Sequence, residues 1–201
     1  ECSLLSTIDQ LLVCLAAHTA SGDLNALKQD WVHVPESEHN AGLEIILQTH
    51  LFAGYPRTIN ALRVVRTLGC SLNASADAPA TQWREDGEHL CAQIYAGSYD
   101  RLREAIGALH VDLETWMLET GYGRVLSRPG LTPLQREFGV LAVLAGQNVK
   151  PQMMSHLRGA LHVGATYVVL ERLLEMIGKL WGSQAEADAL HVLRKLRDSQ
   201  V

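Results

Sequence analysis

The chain has 201 residues, 47% hydrophobic and 19% charged, with 17 Lys and Arg against 22 Asp and Glu for a net charge of −5. That length buries a sizeable core as one large domain or two small ones. The weakly acidic, interspersed charges give no electrostatic basis for binding nucleic acid or a membrane surface, and no apolar run reaches the ~18 residues of a bilayer span.

Apolar positions recur at spacings of three and four, and alternating runs joined by hairpin turns are missing, so the chain is predicted to be all-α. The first helix carries the apolar run "LLVCLAA" at 11–17, where Cys14 is expected to be a buried, inert thiol. Asp23 is placed to cap the next helix. "LEIILQTHLFAG" (43–54) is helical and ends at Gly54, and "PRTINALRVVRTL" opens at Pro56 and closes at Gly69. The small, polar "SLNASADAPATQ" (71–82) is the expected linker. Further on, Thr132, Pro133 and Gln135 form a capping box before "REFGVLAVLAG", Pro151 opens a helix that Gly164 closes, and Thr166 caps another. The four cysteines, Cys2, Cys14, Cys70 and Cys91, form no C-x-x-C or C-x-x-H cluster, which fits a reducing compartment without a zinc or dithiol centre. A cytoplasmic location is expected. Because the first residue is Glu1 rather than Met, a removed organelle-targeting segment is the alternative.

The order of these signals repeats. "LVCLAAHTASGDLNALK" precedes "VLAVLAGQNVKPQMMSH" by about 128 residues, and "LEIILQTHLFAG" precedes "LERLLEMIGKLWG" at nearly the same offset. This predicts a truncated helical repeat at 1–70, the linker at 71–82 and a helical domain at 83–201. In that register Asp9 stands where Glu137 stands, and Lys28 where His156 stands.

The stretch from "GEHLCAQIYAG" through "RPGL" (128–131), the Arg-bearing helix after it and the "H-x-R-x-A" helix at 156–160 resembles the γ-carboxymuconolactone decarboxylase family. The resemblance covers roughly residues 83 to 190, and "LFAGYPRTINAL" (51–62) is similar to the "Y-x-G-x-P" segment of the same family. It implies a duplicated carboxymuconolactone decarboxylase / alkyl hydroperoxide reductase D-like helical bundle that assembles into a homo-oligomer, a trimer or hexamer-like ring. In the reductase-like relatives the redox site is a Glu, a C-x-x-C pair and a His. Laid on this chain, the Glu falls at Glu137 and the His at His156, while the cysteine positions fall at Val149 and Gln152, and at Ser21 and Leu24 in the first copy. Without thiolates the disulfide relay is chemically absent, which disfavours a peroxidase-coupled role.

The resemblance implies a catalytic His156 oriented by Glu137. His156 is flanked on its helix face by the small residues Gly159 and Ala160, which leave space for a pocket. Arg128 and Arg136 flank the "RPGL" turn and are the expected cations for a substrate carboxylate, since guanidinium pairs with carboxylate through two parallel hydrogen bonds. His162 lies on a different face from His156 and pairs with Arg158 at i, i+4, which suits a polar or intersubunit surface. Glu171 and Glu175, with Arg172 and Lys179 beside them, make a charged helix face. The expected activity is loss of carbon dioxide from a small carboxylated lactone or related acid, with neither metal nor organic cofactor, His156 stabilising the enolate and returning the proton. A non-catalytic scaffold or ligand-binding member is the competing class, favoured by the degenerate first copy.

Overall fold

The computed structural model describes residues 5–70 and 78–199, and among them every regular element is helical. Ser6 caps α1 (Thr7–Ser21) by accepting from the Asp9 amide, and Asp23 caps α2 (Leu24–Trp31) through the Ala26 amide. There follow α3 (His39–Gln48), the single turn α4 (His50–Ala53) and α5 (Tyr55–Thr67), with Gly54 and Gly69 at positive φ where the sequence punctuation places the breaks. The linker expected at 71–82 lies outside the described residues at 71–77, and α6 (Ala80–Tyr95) already includes its last positions.

Next come α7 (Tyr99–Leu109), α8 (Val111–Trp116) and, continuous with it, a π-helix over Met117–Leu126. The second half ends with α9 (Pro133–Gln147), α10 (Lys150–His162), α11 (Tyr167–Trp181) and α12 (Ser183–Asp198). The Thr132–Gln135 capping box is complete, and Thr166 caps α11 by accepting from the Val169 amide. The helix starts recur in register: α3 and α11 begin at His39 and Tyr167, α5 and α12 at Tyr55 and Ser183, each pair about 128 residues apart.

One apolar core joins the two ends of the chain. Leu12, Leu15, Leu27 and Ile45 from the first helices pack with Leu141, Leu157, Leu173 and Ile177 from the last. Within it α9 is central: every residue from Arg136 to Ala145 is buried, as expected of a helix apolar nearly all round. A smaller cluster, Leu90, Cys91 and Ile94 of α6 with Leu118, Tyr122 and Leu126 of the π-helix, forms beside it. Here two backbones touch. A Cβ on Gly87 would run into the Leu118 carbonyl and one on Gly123 into the Trp83 carbonyl, so only glycines permit this crossing. No helix among the described residues is long and apolar enough to cross a membrane.

Candidate functional site

Glu137 and His156 meet where α9 and α10 pack together. His156 Nδ1 and Glu137 Oε2 are 2.9 Å apart, and the residues are 7% and 1% exposed. A carboxylate can only accept, so Nδ1 carries the hydrogen and Nε2 remains as the ring's second polar atom. Glu137 lies beyond the first turn of α9, where no acidic residue stands, so His156 and not the helix dipole accounts for its burial. Gly159, one turn after His156, makes the approach possible. A Cβ there would lie 2.6 Å from Ile94 Cγ2 and 3.1 Å from Glu137 Oε2.

His156 lines a cavity of about 690 Å³, within the usual ~300–1,000 Å³ of small-molecule sites. Its wall is mostly aliphatic and aromatic, supplied by α4, by α6 to the π-helix, and by α10. Phe52 meets the imidazole edge-on, with ring centroids 6.0 Å apart, and Gln147 Nε2 fixes the backbone of Phe52 by donating to its carbonyl at 2.7 Å. The polar lining consists of His156, Ser155, Gln152, Thr120, Tyr95 and Tyr122, with no Lys, Arg, Asp or Glu among the described lining residues.

The two tyrosines were not legible as site residues. They come from α6 and the π-helix, and the Tyr122 hydroxyl donates to that of Tyr95 at 3.0 Å, with the rings edge-to-face. Burial first, and the nearby Glu137 charge among the lesser causes, pushes both phenols above their ordinary range, so they stay protonated.

Arg128 and Arg136 do not reach this cavity. Arg128 grips Glu44 with Nε 3.1 Å from each carboxylate oxygen and Nη2 3.0 Å from Oε1. Arg136, 2% exposed, donates to Glu44 Oε2 at 3.2 Å, to Gln48 Oε1 at 2.9 Å and to the Arg128 carbonyl at 2.6 Å. Burial lowers the Arg136 pKa and the Glu44 carboxylate opposes that shift. The carboxylate expected from a substrate is thus supplied by α3, and the pair ties α3 to the "RPGL" turn and α9. A signal existed in the sequence: Glu44 and Gln48 are polar residues one turn apart inside an apolar helix.

The first-copy counterparts, Asp9 and Lys28, are not brought together. Asp9 accepts from Ser6 and from Gln135 Nε2, whereas Lys28 is exposed on α2. His162 is exposed but not simply a surface group, since its Nδ1 donates to the Ile94 carbonyl at 2.7 Å and anchors the end of α6. Val149 packs against the main core and Gln152 lines the cavity, so the positions of the redox cysteines hold no sulfur. Cys14 and Cys91 are free thiols, Cys70 Sγ lies 3.9 Å from His39 Nδ1, and Cys2 lies outside the described residues. Among the described residues no group of three or more His, Cys, Asp or Glu is gathered to hold a metal ion.

No family model matches the chain. A curated relative does: Peroxisomal protein 2 of Schizosaccharomyces pombe is 30% identical over 145 residues, which span 69% of this chain and 68% of that protein. With that identity over more than two thirds of both sequences, the chain belongs to the same protein family as Schizosaccharomyces pombe Peroxisomal protein 2.

Proposed function

We propose that this chain is a carboxymuconolactone decarboxylase-like enzyme that moves protons, without a cofactor, at a carbon next to the carbonyl of a small, mostly apolar lactone or related acid. The observation that carries this is the buried Glu137–His156 pair at the wall of an apolar cavity. In such a site a carboxylate orients the imidazole and offsets the charge of the imidazolium once it forms. When a carboxylated substrate loses carbon dioxide, the C–C bond pair passes to the carbonyl oxygen as an enolate. His156, which has taken up a proton from solvent before this step, then gives that proton to the carbon and returns to the neutral imidazole as carbon dioxide leaves. With Arg128 and Arg136 engaged by Glu44, protonated His156 is the cation available to the departing carboxylate, so one carboxylate at most fits the cavity.

The matching helix starts of α3 and α11 and of α5 and α12 support an origin by duplication. Exposed Leu109, Val111 and Trp116, close in sequence, support a homo-oligomer, for which light scattering is the check. The name of the S. pombe relative favours a peroxisomal setting over the cytoplasm. A second reading, a ligand-binding protein without turnover, draws on the lack of Lys, Arg, Asp and Glu among the described residues of the cavity lining.

The test is carbon-bound hydrogen exchange with deuterated solvent in small lactones and cyclic ketones, followed by NMR alongside carbon dioxide release from carboxylated lactones. Turnover that falls ~10²-fold or more in His156→Gln, measured below the melting transition where the variant is folded, is the expected result. Binding without exchange or release in the wild type selects the ligand-binding reading.

A further inference from the structure

We propose that Tyr95 is a catalytic residue of this site, its hydroxyl donating a hydrogen bond to the carbonyl oxygen of the bound substrate and to the enolate that the oxygen becomes. The inference rests on the proton-transfer function proposed for His156 and divides the chemistry between two groups.

The Tyr95 oxygen accepts the hydrogen of Tyr122, so its own hydrogen is left over, and no acceptor for it is present among the described residues. Both rings line the cavity that His156 lines. A hydroxyl in an apolar enclosure with an unspent hydrogen is a donor awaiting an acceptor, and the bond it already accepts polarises it further.

The protein also fixes the backbone that carries this side chain. Ala96, the next residue, has φ 47° and ψ −127°, a region that is strained for a residue with a Cβ. The preceding carbonyl, that of Ile94, is held by His162 Nδ1. Tyr122 is in turn set by the π-helix, whose widened turn brings Thr120, Gly121 and Tyr122 together onto the cavity wall. Strain, an anchored carbonyl and a phenol–phenol bond thus converge on one hydroxyl.

The substrate class follows. It has one oxygen that must accept a hydrogen bond and an otherwise apolar body, as in a lactone or cyclic ketone. As a bond at the adjacent carbon breaks, its electron pair moves to the oxygen, where Tyr95 stabilises the negative charge while keeping its proton. His156 carries the proton that the carbon loses or gains. A preorganised donor aimed at developing charge is among the most effective ways for an enzyme to lower a barrier.

Two isosteric probes test this: 4-nitrophenol, whose phenolate mimics an enolate oxygen on an apolar ring and reports itself by its visible absorption, and nitrobenzene, which lacks that oxygen. Tyr95→Phe is expected to weaken phenolate binding roughly 10- to 100-fold, the range for a hydrogen bond to a charged group, and to raise the apparent pKa of the bound phenol. Nitrobenzene should bind both proteins alike. Tyr122→Phe keeps the Tyr95 hydroxyl but removes its support, so a smaller loss of phenolate affinity is expected, and this variant carries the test if Tyr95→Phe does not fold. Equal phenolate binding by wild type and these variants overturns the role of Tyr95 while leaving the His156 reading intact. So does a loss that appears only in His156→Gln. If neither probe binds the wild type, the cavity is no ligand site and both readings fall together.

Discussion

Glu137 and His156 lie on successive helices of the main core, joined at 2.9 Å and almost sealed from solvent. Each accounts for the burial of the other: an unpaired carboxylate or imidazolium in that position would carry a desolvation cost of several kcal/mol. The pair therefore couples stability to chemistry, and the two can be separated. Glu137→Gln keeps the shape of the side chain and removes its charge. It is expected to destabilise the fold by about 1–3 kcal/mol and to remove most activity, because the amide cannot stabilise an imidazolium. Urea unfolding beside turnover reads both. A variant of full stability and full activity would show that the carboxylate does neither job.

Gly159 is expected to be irreplaceable for a steric reason. In Gly159→Ala the added methyl meets Ile94 and the Glu137 carboxylate, so α6 and α10 must separate or the carboxylate must swing away from His156. Overpacking of this kind costs about 1–3 kcal/mol. The His156 imidazole resonances in NMR should shift as the pair is disturbed. Gly97 is the comparison: a Cβ there meets nothing within 4 Å, and Gly97→Ala should leave those resonances in place.

Glu44 is a structural partner, and its removal should act on the fold alone. Glu44→Ala strips two buried guanidinium groups of their shared carboxylate, and a loss of about 3–5 kcal/mol is expected. A milder Glu44→Gln variant, folded enough to assay, should retain the activity that depends on His156. Activity lost in proportion to carboxylate binding would instead return Arg128 and Arg136 to a substrate role.

Alkaline pH is expected to destabilise the protein through its thiols. Burial pushes Cys14 up to about 11, with Asp30 adding to the effect, and pushes Cys91 up to about 12, against the opposing charge of Arg103. In the unfolded chain a thiol releases its proton near pH 8.5. From there up to about pH 11 to 12 the folded state binds more protons than the unfolded state, so stability falls as pH rises, while below about pH 8.5 the thiols leave it unchanged. Urea midpoints measured across this window should fall less steeply in a Cys14→Ala, Cys91→Ala double variant. The same thiols should resist alkylation until the protein unfolds.

Local chemistry determined the helices and their ends. Ser6, Asp23, Thr132 and Thr166 satisfy the free amides of the first turn wherever they occur, and the glycines stop helices because positive φ suits no other residue as well, so these features are written in a few adjacent residues. The pairing of Glu137 with His156 was legible only through family resemblance, since spacing along the chain does not say which helices touch. The arginines show what sequence cannot decide. Arg128 and Arg136 have the chemistry of carboxylate binding, but the carboxylate they bind is Glu44, more than 80 residues away, because packing α3 against α9 brings it within reach before any substrate arrives. Tyr95 and Tyr122, 27 residues apart, become one unit for the same reason: the glycine contacts between α6 and the π-helix set their distance. Residue type determined which groups could act on a carbonyl or hold an anion. Long-range packing decided which of them face an open cavity, because only tertiary contacts between distant segments settle which partner satisfies each buried polar atom.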